Sequence, residues 1–486
     1  MSAPIDLEAR ILNQQSLRRR AFLNQVGGGL GLVALNSLFR QDGLVNAGPS
    51  TVSVDPLAPK LPHFAARAKR CIFLMMDGGV SQMDTFDPKP KLASMAGKVF
   101  TRNEKLKSNQ NGGTRYFTAS PFKFKKHGQM GMPVSDLFPS FARHVDDVAF
   151  LRSGYAESDN HPAALFHYLT GNPFQGSPSV GSWVVYGLGT ENQNLPSFVV
   201  LRDGRPFGGA ATWSNAYLPA CYQGTQFRSG DHPVLNLNPP KGVSRERQRK
   251  ALDLLGNLNE GHRQTSPYHP DLEARIANYE LAFRMQMEVP DAVDVSRESE
   301  RTKQLYGMDQ DKTKTFGKRC LLARRLVERG VRFVQVWSGG WDSHDDIKNG
   351  HQKAAEQVDV PLAGLLQDLK DRGLLEDTLV VWGGEFGRTP DTNEGNFKKK
   401  KEGRDHNPTA MTMWFAGAGV QNGQVIGSTD ELGHKAVEKP YHLRDIHATF
   451  LHLFGLDQSK LNFYHGGRFK QLTDTGGVVI RDLLAS

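Results

Sequence analysis

Six short apolar runs, at 71–76, 148–152, 197–201, 331–337, 378–382 and 411–415, alternate with longer stretches of helical period. Runs that are almost unbroken in apolar residues read as strands covered on both faces. Their alternation with helices reads as βαβ units around a parallel sheet. Leu272, Ile276, Tyr279 and Phe283 mark one helix over 272–283. Val358, Leu362, Leu365, Leu366 and Leu369 mark another over 358–369, where Pro361 limits how far it extends backward. The expected fold is therefore α/β, with a doubly wound, mainly parallel sheet. Residues 202–330 are more polar and weaker in strand signal, and are expected to form an inserted cap. The Lys-, Asn- and Gly-rich tract 100–131 is expected to be a surface loop.

The ends of these runs carry the chemistry. Asp77 follows CIFLMM, Asp342 and His344 follow VRFVQVWSGGW, Glu385 follows TLVVWGG, and Asp405 and His406 precede MTMWF. In a parallel sheet, strand ends distant in sequence meet at one carboxyl edge, and ligands bind there. Carboxylates and imidazoles gathered at such an edge suit one or two divalent ions. Arg388, three residues beyond Glu385, is placed to grip an anion with its forked guanidinium. Plainer accounts exist for each. Asp77 is also a good helix cap, WDSH a polar loop with Asp345 and His351 nearby, Glu385–Arg388 a loop ion pair, and Asp405-His406 a solvated loop. Their shared position at strand borders favours a common site.

The chain has 486 residues, 38% hydrophobic and 23% charged, which fits a globular protein of one large or two smaller domains. No apolar stretch reaches the roughly 18–20 residues needed to span a bilayer. The net charge of +9 includes two lysine clusters, at 123–127 and 398–401. The plainer account of the charge is dispersed surface Lys and Arg; the two clusters qualify it and suit an anionic substrate or surface. No nucleic-acid recognition motif or aromatic interleaving accompanies them. Three widely spaced cysteines, Cys71, Cys221 and Cys320, allow one bridge at most and form no CxxC pair.

Residues 16–39, SLRRRAFLNQVGGGLGLVALNSLF, resemble a twin-arginine export signal, with Arg19, Arg20, Phe22 and Leu23 on the consensus positions. The alternative is a basic amphipathic helix of the mature fold. The expected organisation is a signal region at 1–45, a linker at 46–68 and an α/β domain at 69–486. The expected location is periplasmic or secreted, reached through the twin-arginine machinery in folded form.

DGGVSQMDTFDPKP at 77–90, SDNHPAALFHYLTGNP at 158–173, WDSH at 341–344, GGEFGRTP at 383–390 and GRDHNP at 403–408 resemble the motifs of the DUF1501 family, within the alkaline phosphatase and sulfatase superfamily. YHLRDIHATFLHLFGLD at 441–457 resembles the family's closing helix before a small C-terminal unit. The resemblance implies a metal site for phosphate or sulfate esters, with Asp77, Asp342, His344, Glu385 and His406 as ligand positions; beside them, Asp405 is expected to bind as well or to orient His406. Glu-Phe stands at 385–386 where the superfamily usually has Asp-His. The formylglycine motif of sulfatases is absent, and counting back from Thr170-Gly171 places His161 at the nucleophile position. Ser81 and Thr85 are substitutes, and water activated by the ion is a further route.

The expected function is that of an exported metal-dependent ester hydrolase. Its substrate would be an anionic ester, including a sulfated or phosphorylated polysaccharide. Its ion is zinc or manganese in preference to calcium, because the donors include imidazoles. The alternative is a non-catalytic envelope protein that binds anionic polysaccharide on the same fold.

Overall fold

The computed structural model describes residues 55–100, 113–230, 233–235, 237–265 and 270–485. The twin-arginine segment and the linker as far as residue 54 lie outside the described residues. So do residues 101–112 of the expected loop.

Nine strands build the central sheet: β1 (Arg70–Met76), β2 (Ala149–Tyr155), β3 (Phe198–Leu201), β4 (Thr225–Phe227), β5 (Phe333–Ser338), β6 (Thr378–Gly383), β7 (Met411–Ala416), β8 (Gln424–Ile426) and β9 (Tyr441–His442). Their order is β8-β2-β7-β6-β1-β5-β3-β4, and β9 pairs with the far end of β2. Every pairing is parallel except those of β7, which runs against both neighbours. All six sequence-predicted strands are present.

Side-chain alternation along β1 shows why both faces are covered. Cys71, Phe73 and Met75 enter one core, with residues of the helices His161–Thr170, Val180–Leu188 and Leu443–Leu453. Ile72, Leu74 and Met76 enter the other, with the helices Lys314–Glu328 and Ile347–Asp371. Successive strand residues point to opposite faces, so a run apolar at every position needs two cores. Trp382 and Trp414, on adjacent strands, stack with ring centroids 6.0 Å apart in the second core.

Three elements differ from the sequence expectation. Helix Ile347–Asp371 runs straight through Pro361. A proline inside a helix costs about 3 kcal/mol. The buried face of Ala354, Ala355, Val358, Leu362, Leu365, Leu366 and Leu369 outweighs that, at roughly 1.5–3 kcal/mol for each large side chain. The expected cap at 202–330 is narrower, because β4 belongs to the sheet and helix Lys314–Glu328 buries Leu321, Leu322, Leu326 and Val327 in the second core. What remains between them is chiefly the helices Arg245–Thr265 and Pro270–Val293, joined by a forked Arg249–Glu280 pair at 2.8 and 2.6 Å. Part of the 100–131 tract also forms structure, since Phe124–His127 pairs with Met132–Ser135 in an antiparallel hairpin. After helix Leu443–Leu453 comes the expected small C-terminal unit, with a hairpin of Phe463–His465 and Arg468–Lys470.

Among the described residues no helix is long and apolar enough to cross a membrane. All three cysteines are buried free thiols.

Three histidines are carried in the interior as neutral rings. Burial, first of all, lowers His167 and His351 to about 3 and His447 to about 4. An unfolded histidine titrates near 6.5, so between that pH and about 4 the unfolded chain binds protons that the folded chain refuses. The contribution of these three rings is therefore full above about pH 6.5 and falls as the pH drops. With three such groups the slope approaches about 4 kcal/mol per pH unit. Denaturant unfolding between pH 7 and pH 4.5 is expected to show this steep loss, and replacing His351 by Gln is expected to make it shallower.

Candidate metal centre

The carboxyl ends of β1, β5 and β6 lie side by side, with Met76 opposite Ser338 and Met75 opposite Gly383. Asp77 leaves β1 into two glycines with positive φ, Gly78 at +120° and Gly79 at +78°. A Cβ on Gly78 would sit 2.6 Å from the Asp342 backbone nitrogen, so only glycine lets the two strand-end loops touch. The Gly78 N–H donates to both carboxylate oxygens of Glu385, at 3.0 and 3.2 Å.

Beside this junction four side chains converge. One donor atom from each of His161, Asp342, His344 and His406 lies within 4.8 Å of the other three. The Nε2 atoms of His344 and His406 face each other at 2.8 Å. They lie 3.0 and 3.2 Å from Asp342 Oδ1. His161 Nε2 is 3.3 Å from Asp342 Oδ2. The four come from the start of helix His161–Thr170, the loop after β5 and the approach to β7. The cluster reaches solvent at Asp342, whose side chain keeps 30% of its accessible area.

The partners of these groups fix what they can do. His406 Nδ1 lies 2.6 Å from the Asp159 carbonyl, which only accepts, so Nδ1 carries the proton and Nε2 presents a lone pair to the cluster. Burial, more than any neighbour, lowers the His406 pKa and keeps the ring neutral. His161 lies between two acids, with Nδ1 2.7 Å from Glu385 Oε1. Burial works against its charge, but the hydrogen bonds and charges of Asp342 and Glu385 prevail and raise it to about 9. For Asp342, burial is likewise overcome, by the hydrogen bonds from His161 and His344 and by the Arg388 charge, which hold it far below the usual carboxylate range.

Asp405 orients rather than joins. Its Oδ1 accepts the His406 backbone N–H at 2.8 Å and lies 3.8 Å from His344 Nδ1. Asp77 and Glu385 stand on the far side of His161. Asp77 Oδ2 pairs with Arg202 at 2.9 Å, while its Oδ1 is buried without a hydrogen-bond partner. Burial and the nearby Glu385 push Asp77 up to about 6 against the pull of Arg202.

Two catalytic expectations are corrected in detail. Arg388 is fully buried and already engaged. It donates to the carbonyls of Gly79 at 2.9 Å and Arg404 at 3.1 Å, to the Gly78 carbonyl, and to Asp342 Oδ1 at 2.7 Å. Its fork therefore locks the Asp342 loop instead of reaching outward. Ser81 is buried too, with its hydroxyl bonded to Asp84 and its N–H to His351. Asp84 in turn is gripped by Arg404, at 2.6 and 3.2 Å. The Thr85 hydroxyl donates to the Ser81 carbonyl at 2.8 Å. Of the three catalytic expectations, His161 is the one that offers an imidazole nitrogen to the cluster, with Phe207 stacked on its ring at 4.2 Å.

Arg202, which pairs with Asp77, is a charged residue at this edge that the sequence expectation does not name. Its signal was present, since the run 197–201 ends at Arg202 just as the other runs end at their acids. Asp159, which acts through its backbone, and Phe207 carried no such signal.

Residues 68–484 match the family described as "Protein of unknown function (DUF1501)". No curated protein matches the chain. Among solved structures, the lipoteichoic acid synthase LtaP from Listeria monocytogenes is 11% identical, with 83% of this chain and 78% of that one covered at a TM-score of 0.35. A sulfatase from Pseudoalteromonas sp. is 13% identical over 80% of this chain and 68% of that one, with a TM-score of 0.32. A phosphonate monoester hydrolase from Silicibacter pomeroyi is 11% identical over 86% and 76%, also at 0.32.

Gly78→Ala is expected to force apart the β1 and Asp342 loops, because it combines a positive φ with a backbone clash. The expected cost is at least about 2 kcal/mol in denaturant unfolding, together with weakened binding of zinc in calorimetry.

Proposed function

The chain belongs to the DUF1501 family, and we propose that it is an exported metal-dependent hydrolase of phosphate or sulfate esters. The observation that carries this reading is the convergence of His161, Asp342, His344 and His406 at the carboxyl edge of the sheet. Two imidazole nitrogens facing each other beside a carboxylate oxygen form a ready donor set, and the buried, unpartnered Asp77 Oδ1 shows that polar capacity nearby is also unfilled.

Asp342, His344 and His406 would hold the ion, and a nitrogen-rich set favours zinc or manganese over calcium. When bound, it would polarise the ester oxygen and make water a better nucleophile at neutral pH. The residues supply the rest. Asp159 fixes the His406 tautomer, and Arg388 fixes the Asp342 carboxylate. His161, tied to Glu385 through Nδ1, presents Nε2 to the same space, where it joins the donor set or passes a proton to the departing oxygen. An anionic substrate suits the surroundings. Asn396 bonds the His344 carbonyl at 2.8 Å, and the exposed run Lys398–Lys401 begins two residues later.

The second reading, a non-catalytic envelope protein that binds anionic polysaccharide, draws support from the engaged hydroxyls of Ser81 and Thr85. One experiment separates the two. Protein purified from cells is expected to hold zinc or manganese and to turn over members of a panel of aryl phosphates and aryl sulfates. Asp342→Asn and His344→Ala are each expected to lower kcat/KM by more than about 100-fold. Intact, metal-loaded protein that binds dextran sulfate but hydrolyses no ester would favour the binding reading.

Export is part of the same proposal, and residues 1–45 would carry the twin-arginine signal. Replacing Arg19 and Arg20 together by Lys is expected to leave the protein in the cytoplasmic fraction of fractionated cells.

A further inference from the structure

The acids of the site fall into two groups, and only one is open to an ion. Asp342 meets three imidazoles whose donor atoms share one small space. Asp77 and Glu385 lie beyond His161, and among the described residues they form no such convergent set. Both are nearly or fully buried, Asp77 at 4% and Glu385 at 0% exposure. Two buried carboxylates side by side need positive charge. His161 supplies part of it to Glu385 through a 2.7 Å contact. Arg202 supplies the other part to Asp77, at 2.9 Å.

Arg202 is built into that position. Its guanidinium lies 4.7 Å from the centre of the Trp337 ring, a cation–π seat that holds it in addition to the carboxylate. Its backbone N–H donates to the Phe227 carbonyl at 3.2 Å. The next residue, Asp203, is tied to Arg319 at 2.6 Å and to the Ser229 N–H at 2.7 Å. The loop after β3 is thereby fixed at several points around the guanidinium.

We propose that Arg202 is a resident cation standing in for a second metal ion, so that the centre binds one divalent ion per chain and presents Arg202 as its other positive pole. This rests on the reading of the site as a metal centre. A divalent ion brought to Asp77 and Glu385 would meet a guanidinium that it can displace only by breaking the Asp77 pair and leaving the Trp337 face. Arg202 cannot lose its proton in the accessible pH range, so the positive charge beside Asp77 is a permanent one.

The test is metal stoichiometry. Full-length protein is loaded with zinc, freed of excess metal, and analysed by elemental mass spectrometry, with calorimetric zinc titration of the metal-free protein in parallel. The wild type is expected to bind one zinc per chain. Arg202→Met, and the more conservative Arg202→Gln, are expected to bind two. Adding Asp77→Asn to either is expected to return the count to one. Two zinc ions in the wild type would overturn the assignment even if neither variant folds. A count that stays at one in a folded Arg202 variant, with unchanged circular dichroism, would overturn it as well. A wild type that binds no zinc or manganese would overturn the metal reading itself and this inference with it.

Discussion

The carboxylate of Asp342 is compensated by two imidazoles and one guanidinium, with the lone pair of a third imidazole turned into the same space, all from four separate stretches of chain. That convergence holds the functional end of the sheet together. His161 arrives on a helix, His344 on the loop Asp342 itself begins, Arg388 from beyond β6, and His406 on the approach to β7. A partly buried carboxylate is tolerable only with such compensation. The compensation in turn dictates where each loop must lie. Gly78 completes the arrangement from below, since any side chain there would push the Asp342 backbone away.

The architecture was legible because the forces that make it are local and periodic. The six apolar runs form strands, and the residues at their ends do meet at one edge. Asp77 beside the β5 and β6 ends follows from the parallel register alone. Helix His161–Thr170 begins at the residue reached by counting back from Thr170-Gly171, and Gly171 closes it in the left-handed conformation. Motif resemblance had supplied that count, and the backbone gives it a physical meaning.

What the sequence hid was direction. A strand-end position says that a side chain is near the edge, not which neighbour it will face. Asp77, Glu385 and Arg388 all lie at the edge, yet Asp77 turns to Arg202, Glu385 to the Gly78 amide and His161, and Arg388 inward to carbonyls. Ser81 follows Asp77 by four residues but is buried against Asp84 and His351. Pro361 misleads for a related reason. Local propensity places a helix end there, but a long apolar face packed on the sheet is worth more than one lost hydrogen bond.

The three unbridged thiols carry a last consequence. Cys71, Cys221 and Cys320 sit in the interior as small apolar packing units, and burial pushes all three well above the usual thiol range. No covalent cross-link remains to be made after the chain has packed, and no reactive thiolate is left for an oxidant to find. Its fold is therefore complete without a disulfide, and folding asks for no oxidant.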